Sequence, residues 1–407
     1  VSQFNAFVSE RIVVTGLGPV HALGIGRDAF FRSLAAGVDG AKPVRSIEVS
    51  NYKHQYACEV GILDLNQYSL GVLPEGCEKA SLYAILGTQL AIDDAGLTRE
   101  ELKNQPVGCF LGTTDGESQR IDALVSQLHN AASVPQDSFD AVAHARISRN
   151  INLYLDSTGP AYTIGNACSA SNAAIVSAVE YLQNTEADFA ICGGSDVVCR
   201  KTFSIFHRLS AISEKHCTPF DLHRKGIIPA EGASILLLEK LSSALARKAK
   251  IYGEVVGYGM NCDATHMTNL NPEKIKTCLS RCLDTAGLVP KEVDYICMHG
   301  TGTPANDLNE YQSLQKVFGD DIPMCGSIKS MTGHAMGAAA GFGAIACMFA
   351  LNHGIPPTIN LTEQDPEIPL PLTVKYLPQP VNVVLNNAFA FGGNNAIVAF
   401  RSMNTHG

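Results

Sequence analysis

The sequence predicts a duplicated α/β fold of five layers, in which two helices of small residues are sandwiched between sheets. Three observations carry this expectation. The stretch "LAIDDAGLTREELKNQPVGCFLGTT" (90–114) is answered by "RCLDTAGLVPKEVDYICMHGTGT" (281–303), each reading helix, Ala-Gly-Leu, short linker, apolar strand, Gly-Thr. Further along each half, a Gly/Ala-rich helix begins just after a reactive side chain, Cys168 in the first and His334 in the second. Finally, 36 glycines and only 17% charged residues in 407 suit close backbone packing around a large core.

The elements follow in chain order. The glycine after each Ala, Gly96 and Gly287, fits the left-handed position that closes a helix. The apolar runs VGCFLG and VDYICM are short enough for buried strands. "NACSASNAAIVSAVEYL" (166–182) has helical spacing, with Asn166 as a candidate cap, and runs on to "ADFAICGG", a central strand. From Ser330 to Thr362 the chain carries no Asp, Glu, Lys or Arg, yet its apolar heart, Ala335 to Leu351, is 17 residues of mostly small side chains ending in Asn352 and His353. That pattern predicts a buried core helix and no membrane span. No Pro/Ser-rich linker separates the halves, 1–250 and 251–407, so they are expected to form one compact unit.

A net charge of −9 without a basic block argues against a nucleic-acid binder. Thirteen cysteines, an odd number without paired spacing or a secretory pattern ahead of them, predict free thiols, mostly core, in a cytoplasmic compartment. Cys262 and His266 have i, i+4 spacing but no second ligand pair, which leaves no metal site. The GLGPVH run from Gly16 places His21 where a dinucleotide fingerprint needs its third glycine.

Four motifs carry chemistry. Cys168 sits where a helix begins, and the partial positive charge there lowers a thiol from about 8.5 toward 7, a nucleophile's position; the alternative is one more buried thiol. In "MHGTGTPANDLNE" (298–310) an apolar strand delivers His299 into a loop where Thr301 and Thr303 offer hydroxyls to a polar ligand chain. "GSIKSMTGHAMGAAAG" (326–341) supplies a cation, Lys329, and a second imidazole, His334. "NNAFAFGGNNAIVAF" (386–400) sets Phe391 before Gly392 and Gly393, a loop able to move and to present backbone N–H groups to an oxyanion.

Taken together, and with "RIVVTGLGPVHALG" (11–24) and "TPFDLHRKGIIPAEGAS" (218–234), these blocks resemble the elongating β-ketoacyl-acyl-carrier-protein synthases, condensing enzymes of the thiolase-like fold that build fatty acids and polyketides. The resemblance spans nearly the whole chain in family order. It implies that Cys168 takes an acyl group from the phosphopantetheine arm of an acyl carrier protein, the enzyme itself holding no cofactor. It implies further that His299 and His334 stabilise the enolate of a decarboxylated malonyl thioester, and that Lys329 organises the site. The backbone N–H groups of Cys168 and Phe391 would hold the acyl oxyanion. Phe391, with Gly392 and Gly393, would gate the acyl pocket, and Thr301, Thr303 and Phe389 would bind substrate, the two threonines lining the pantetheine arm. Asp307 and Glu310 fit acidic positions of the family, with Glu310 a candidate partner for Lys329.

Four positions depart from the family pattern: Asn166 and Asn394 where Thr is usual, Ala390 where Gly is usual, and Gly343 where fatty-acid members carry Glu. The last bears on the lysine network and points to a specialised synthase. A degradative thiolase would need a Cys-x-Gly near the C-terminus, and no cysteine follows Cys347. A non-catalytic subunit of the chain-length-factor type would lack the Cys. Expected partners are an acyl carrier protein, met by a positive patch of Arg200, Lys201 and Arg208, and a second subunit. That subunit would complete a homodimer or a heterodimer with a chain-length factor, with the ADFAICGG strand pairing across the interface.

Overall fold

The computed structural model describes residues 10–130, 137–140 and 142–403. Among the described residues ten strands form the main path of its large sheet: β1 (Ile12–His21), β2 (Gly108–Gly112), β3 (Ala161–Ile164), β4 (Phe189–Asp196), β5 (Gly232–Lys240), β6 (Gly253–Cys262), β7 (Tyr295–Cys297), β8 (Met324–Gly326), β9 (Val383–Phe389) and β10 (Asn394–Arg401). Their order is β8-β7-β9-β10-β6-β1-β5-β4-β2-β3, with a two-residue strand, Gly24–Ile25, added off β1. The first five of that order repeat the last five in mirror sequence. In each half the outer two pairings are parallel and the inner two antiparallel, and the halves meet where Ile12–Val14 of β1 pairs with Gly253–Val255 of β6.

Seven helices position the site: α1 (Lys79–Asp94), α2 (Arg146–Leu155), α3 (Ala170–Asn184), α4 (Arg200–Arg208), α5 (Pro272–Ala286), α6 (Pro304–Phe318) and α7 (Ala339–His353). Helices α3 and α7 pack on each other between the two sheet halves, α1 and α2 cover the first half, and α5 and α6 the second. These are the five layers the duplication implies. The helix closures of the echo are real: Gly96 and Gly287 take φ of +68° and +63°, and each is followed by a short helical turn and a buried strand.

Small residues let the middle layer form. Across Met336–His353 the chain is long and apolar enough to cross a membrane, but 89% of that window is buried inside the protein, so it is a core helix. At Gly343 an added Cβ would run into the Asn386 side chain, which fills the space beside α7. There Asn386 and Asn172 of α3 form a satisfied buried pair, Nδ2 of Asn386 donating to Oδ1 of Asn172 at 2.7 Å and to Ala340 O at 2.8 Å. A missing carboxylate at 343 is thus answered by an amide pair joining α3, α7 and β9. The GLG of β1 serves packing too, because a Cβ on Gly16 or Gly18 would strike the backbone carbonyl of Ala91 or Gly87 in α1.

Two expectations need correction. The ADFAICGG strand does not lie at an interface: β4 is held on both sides within the chain, by β2 and β5. The strand with an open edge is β3, where Tyr162 is 60% exposed. The second echo is also offset by three residues. Turns Ala167–Ser169 and Met336–Ala338 precede α3 and α7, each entered by a residue with positive φ, Ala167 at +46° and Met336 at +47°. The counterpart of Cys168 is therefore Gly337, not His334.

Candidate active site

A cavity of about 240 Å³ opens between the halves, and Cys168, His299, His334, Thr301, Thr303, Phe389 and Phe391 all line it. The sequence places these residues on four different stretches of chain, and the fold brings them together. Lys329, Gly392 and Gly393 stand behind the wall, as do Asp307 and Glu310.

Cys168 occupies the turn ahead of α3 and is 7% exposed. Burial pushes its thiol up to about 12, against the pull of Lys329 and with a further push from Asp196 and Asp115. This reverses the expectation of a lowered thiol: loss of water outweighs the helix start. Nor does Asn166 cap the turn. Its Nδ2 donates to Ser169 Oγ at 2.9 Å, and that hydroxyl bonds Asn166 O and, at 3.2 Å, Asn394 O of the FGG loop.

The two imidazoles meet edge to face, ring centroids 5.6 Å apart. Both are pushed well below the ordinary histidine value, first by burial and then by the Lys329 charge, so both are neutral. Their tautomers are set by neighbours. The Met336 N–H donates to Nδ1 of His334 at 3.1 Å, and Lys329 Nζ lies 3.5 Å from Nδ1 of His299. With Nδ1 accepting, the proton of each ring is on Nε2, and each ring is an N–H donor.

Lys329 is buried, and burial lowers its value. Its Nζ donates to His299 O at 2.6 Å. Glu310 is not its partner, contrary to expectation. Instead Glu310 accepts the backbone N–H groups of His299 (2.8 Å) and Gly300 (2.9 Å) and the Asn387 amide (3.1 Å), while Asp307 accepts those of Thr301 (3.0 Å) and Gly302 (3.3 Å). Two carboxylates of α6 thereby hold four successive amides of the HGTG loop. Asp307 also accepts from Phe220 N at 2.9 Å, tying in the TPFD segment. Burial raises both, Glu310 to about 7.

Phe391 is 38% exposed and stacks on Phe206 of α4, centroids 5.7 Å apart. Gly392 and Gly393 behind it take φ of +83° and +79°, which only glycine adopts without strain. Ala390 lies in extended backbone, where replacing Gly is harmless. The sequence reading missed what clasps this loop. Met267 O accepts Gly392 N–H at 2.8 Å, Asp263 N–H donates to Gly393 O at 2.8 Å, and Cys262 Sγ donates to Gly392 O at 3.4 Å, while Thr268, Asn269 and Leu270 line the cavity. The signal available was an isolated Met in the polar run CDATHMTNLN. Cys262 faces this loop, and His266 Nδ1 accepts from Thr268 N and Asn269 N.

Of the three basic candidates, Arg200 and Arg208 are exposed at either end of α4. Lys201 is not available as a free charge, because its Nζ pairs with buried Asp115 at 2.8 Å.

Comparison with known proteins agrees with this geometry. The family models described as "Beta-ketoacyl synthase, N-terminal domain" and "Beta-ketoacyl synthase, C-terminal domain" match residues 9–244 and 252–362. The 3-oxoacyl-[acyl-carrier-protein] synthase 2 of Synechocystis sp. is 34% identical, over 96% of this chain and 98% of its own. A chain of the ishigamide ketosynthase/chain length factor superposes with a TM-score of 0.94 at 39% identity, covering 98% of this chain and 100% of that one. A chain of AntDE:AntF, a type II PKS acyl-carrier protein in complex with its ketosynthase, gives 0.89 at 26%, covering 97% and 100%. With both family models matched in order and the fold shared along almost its full length, the chain belongs to the β-ketoacyl synthase family.

Proposed function

We propose that this protein catalyses decarboxylative Claisen condensation, joining an acyl group carried on Cys168 to malonyl-acyl carrier protein to give 3-oxoacyl-acyl carrier protein and CO₂ in fatty-acid or polyketide elongation. The observation that carries this is one cavity lined by a thiol and two neutral imidazoles, both N–H donors.

The chain's own residues account for each step. Cys168 attacks the carrier thioester, and its proton passes to the departing phosphopantetheine thiol. Burial raises this thiol to about 12 and so disfavours a free thiolate, which means the proton leaves as the attack proceeds. The acyl oxyanion falls to the amides of Cys168 and Phe391, since those of Gly392 and Gly393 already donate to Met267 O and Ala390 O. Malonyl carboxylate then leaves as CO₂, and the electron pair of the broken bond becomes an enolate whose oxygen meets His299 and His334. The enolate carbon attacks the acyl carbonyl, and the Cys168 thiolate departs and is reprotonated. Lys329 holds His299 in register, and Thr301 and Thr303, their hydroxyls 2.8 Å apart, offer contacts to the pantetheine arm. Phe391 gates entry; unstacking it from Phe206 costs about 1 kcal/mol. Incubation with acyl and malonyl carrier proteins is expected to yield equal amounts of CO₂ and a 3-oxoacyl product, and failure to form that product rejects the reading.

Retention of Cys168 argues against a non-catalytic chain-length subunit, although pairing with one suits the open edge of β3. A dimer is expected through that edge, either of two copies or with such a partner; a monomer at micromolar concentration in solution scattering contradicts both. We read residues 1–250 and 251–407 as the two thiolase-like halves of one unit. Thirteen free cysteines, eleven buried, suit a reducing compartment.

The carrier-protein patch reduces to Arg200 and Arg208, the latter beside cavity-lining Leu209. Reversing both to Glu should raise KM for carrier-bound thioesters and flatten its salt dependence, with little change for short pantetheine thioesters. Equal loss with both substrates removes the patch.

A further inference from the structure

The peptide of Gly337, the counterpart of Cys168, is gripped from both sides. Its N–H donates to Oδ2 of Asp196, at the end of β4, at 2.6 Å, and its carbonyl accepts from the Ser171 hydroxyl in the first turn of α3. Ser171 lies three residues after Cys168, and Gly337 three after His334. Between His334 and Gly337, Met336 N–H holds Nδ1 of His334. There is no slack at this point: a Cβ on Gly337 would lie 2.6 Å from Thr113 Cα and 2.7 Å from Asp196 Oδ2. Asp196 is itself anchored by the Thr113 hydroxyl (2.5 Å) and by the N–H groups of Thr114 and Asp115 (2.9 Å each). Ser171 and Asp196 are fully buried, and neither lines the cavity, so neither touches substrate.

We propose that Ser171, Gly337 and Asp196 form a clamp that fixes the distance between Cys168 and His334, so that the enolate arises within bonding reach of the acyl carbon. Ser171 and Asp196 are positioning residues, and the inference rests on the condensing reading above. An enolate formed out of reach takes a proton from water instead and leaves as acetyl carrier protein, with CO₂ still released. The clamp therefore controls the coupling of decarboxylation to condensation rather than either half-reaction alone.

The test compares Ser171→Ala and Asp196→Asn with the unaltered protein, measuring CO₂, 3-oxoacyl product, acetyl carrier protein and acylated Cys168 by mass. Ser171→Ala removes one buried hydroxyl and adds no bulk. In that variant and in any folded Asp196→Asn, condensation should fall about tenfold relative to decarboxylation, acetyl carrier protein should accumulate, and Cys168 should still acylate. A ratio of CO₂ to 3-oxoacyl product that stays at the unaltered protein's value in Ser171→Ala overturns the clamp, since a general loss of stability lowers both together. Absence of 3-oxoacyl product from the unaltered protein would overturn the condensing reading itself.

Discussion

Replacing Cys168 by alanine is expected to abolish acyl-enzyme formation and condensation together while the protein still folds. The side chain is small and buried, and its loss costs about 1 kcal/mol, within what a domain of this size tolerates. No other cysteine lines the cavity, so no thiol can substitute. The chemistry has a second readout. With the thiol at about 12, the thiolate fraction rises tenfold for each pH unit through the neutral and mildly alkaline range, so alkylation of Cys168 by iodoacetamide should climb without a plateau from about pH 7 to 9.5. Intact-mass measurement checks both. An acyl adduct on Cys168→Ala would assign the nucleophile elsewhere, and a plateau near pH 7 would show that the helix start outweighs burial after all.

That contrast marks where the sequence stops being informative. The turn before α3 is local and legible, because small residues, a cysteine and helical spacing lie side by side in NACSASNAAIV. The water around the thiol is not legible, since it is removed by segments of the other half that pack on this turn, Met336–Ala338, α7, β9 and β10. The duplication worked for the same local reason: two Ala-Gly-Leu closures with positive-φ glycines announce two equal units, and the mirrored strand order follows from them. Pairing partners did not follow. An apolar strand such as β4 records that both its faces are covered and leaves open what covers its edges, so its placement at a dimer interface was wrong, and β3 is exposed instead.

Charge pairing failed in the same way. Lys329 and Glu310 each belong near His299, but the carboxylate serves the amides of the HGTG loop and the ammonium serves a carbonyl. Lys201 looked like a surface charge because Asp115, 86 residues away in sequence, is invisible from its neighbourhood. The loss of a carboxylate at Gly343 raised doubt about the lysine network, yet that position faces Asn386 and leaves the bonds of Lys329 to His299 intact.

Removing either imidazole is expected to strike the enolate rather than the acyl-enzyme. His299→Ala and His334→Ala should each lower CO₂ release from malonyl carrier protein by about 100-fold to 1000-fold, the usual cost of losing one donor to a developing oxyanion, while Cys168 acylation changes far less. Because both rings are neutral and hold their proton on Nε2, a glutamine that offers an N–H from a similar position should restore part of the rate, and an apolar leucine should restore none. The two sites differ in what lies behind them. Alanine at His299 leaves the buried Lys329 ammonium facing a gap, though still bonded to the residue's carbonyl, whereas alanine at His334 frees only the Met336 N–H. His299→Ala should therefore be the less stable of the two. Unchanged decarboxylation in either variant would remove that histidine from the mechanism, and equal loss of acylation and decarboxylation would point to a collapsed cavity instead of a missing donor.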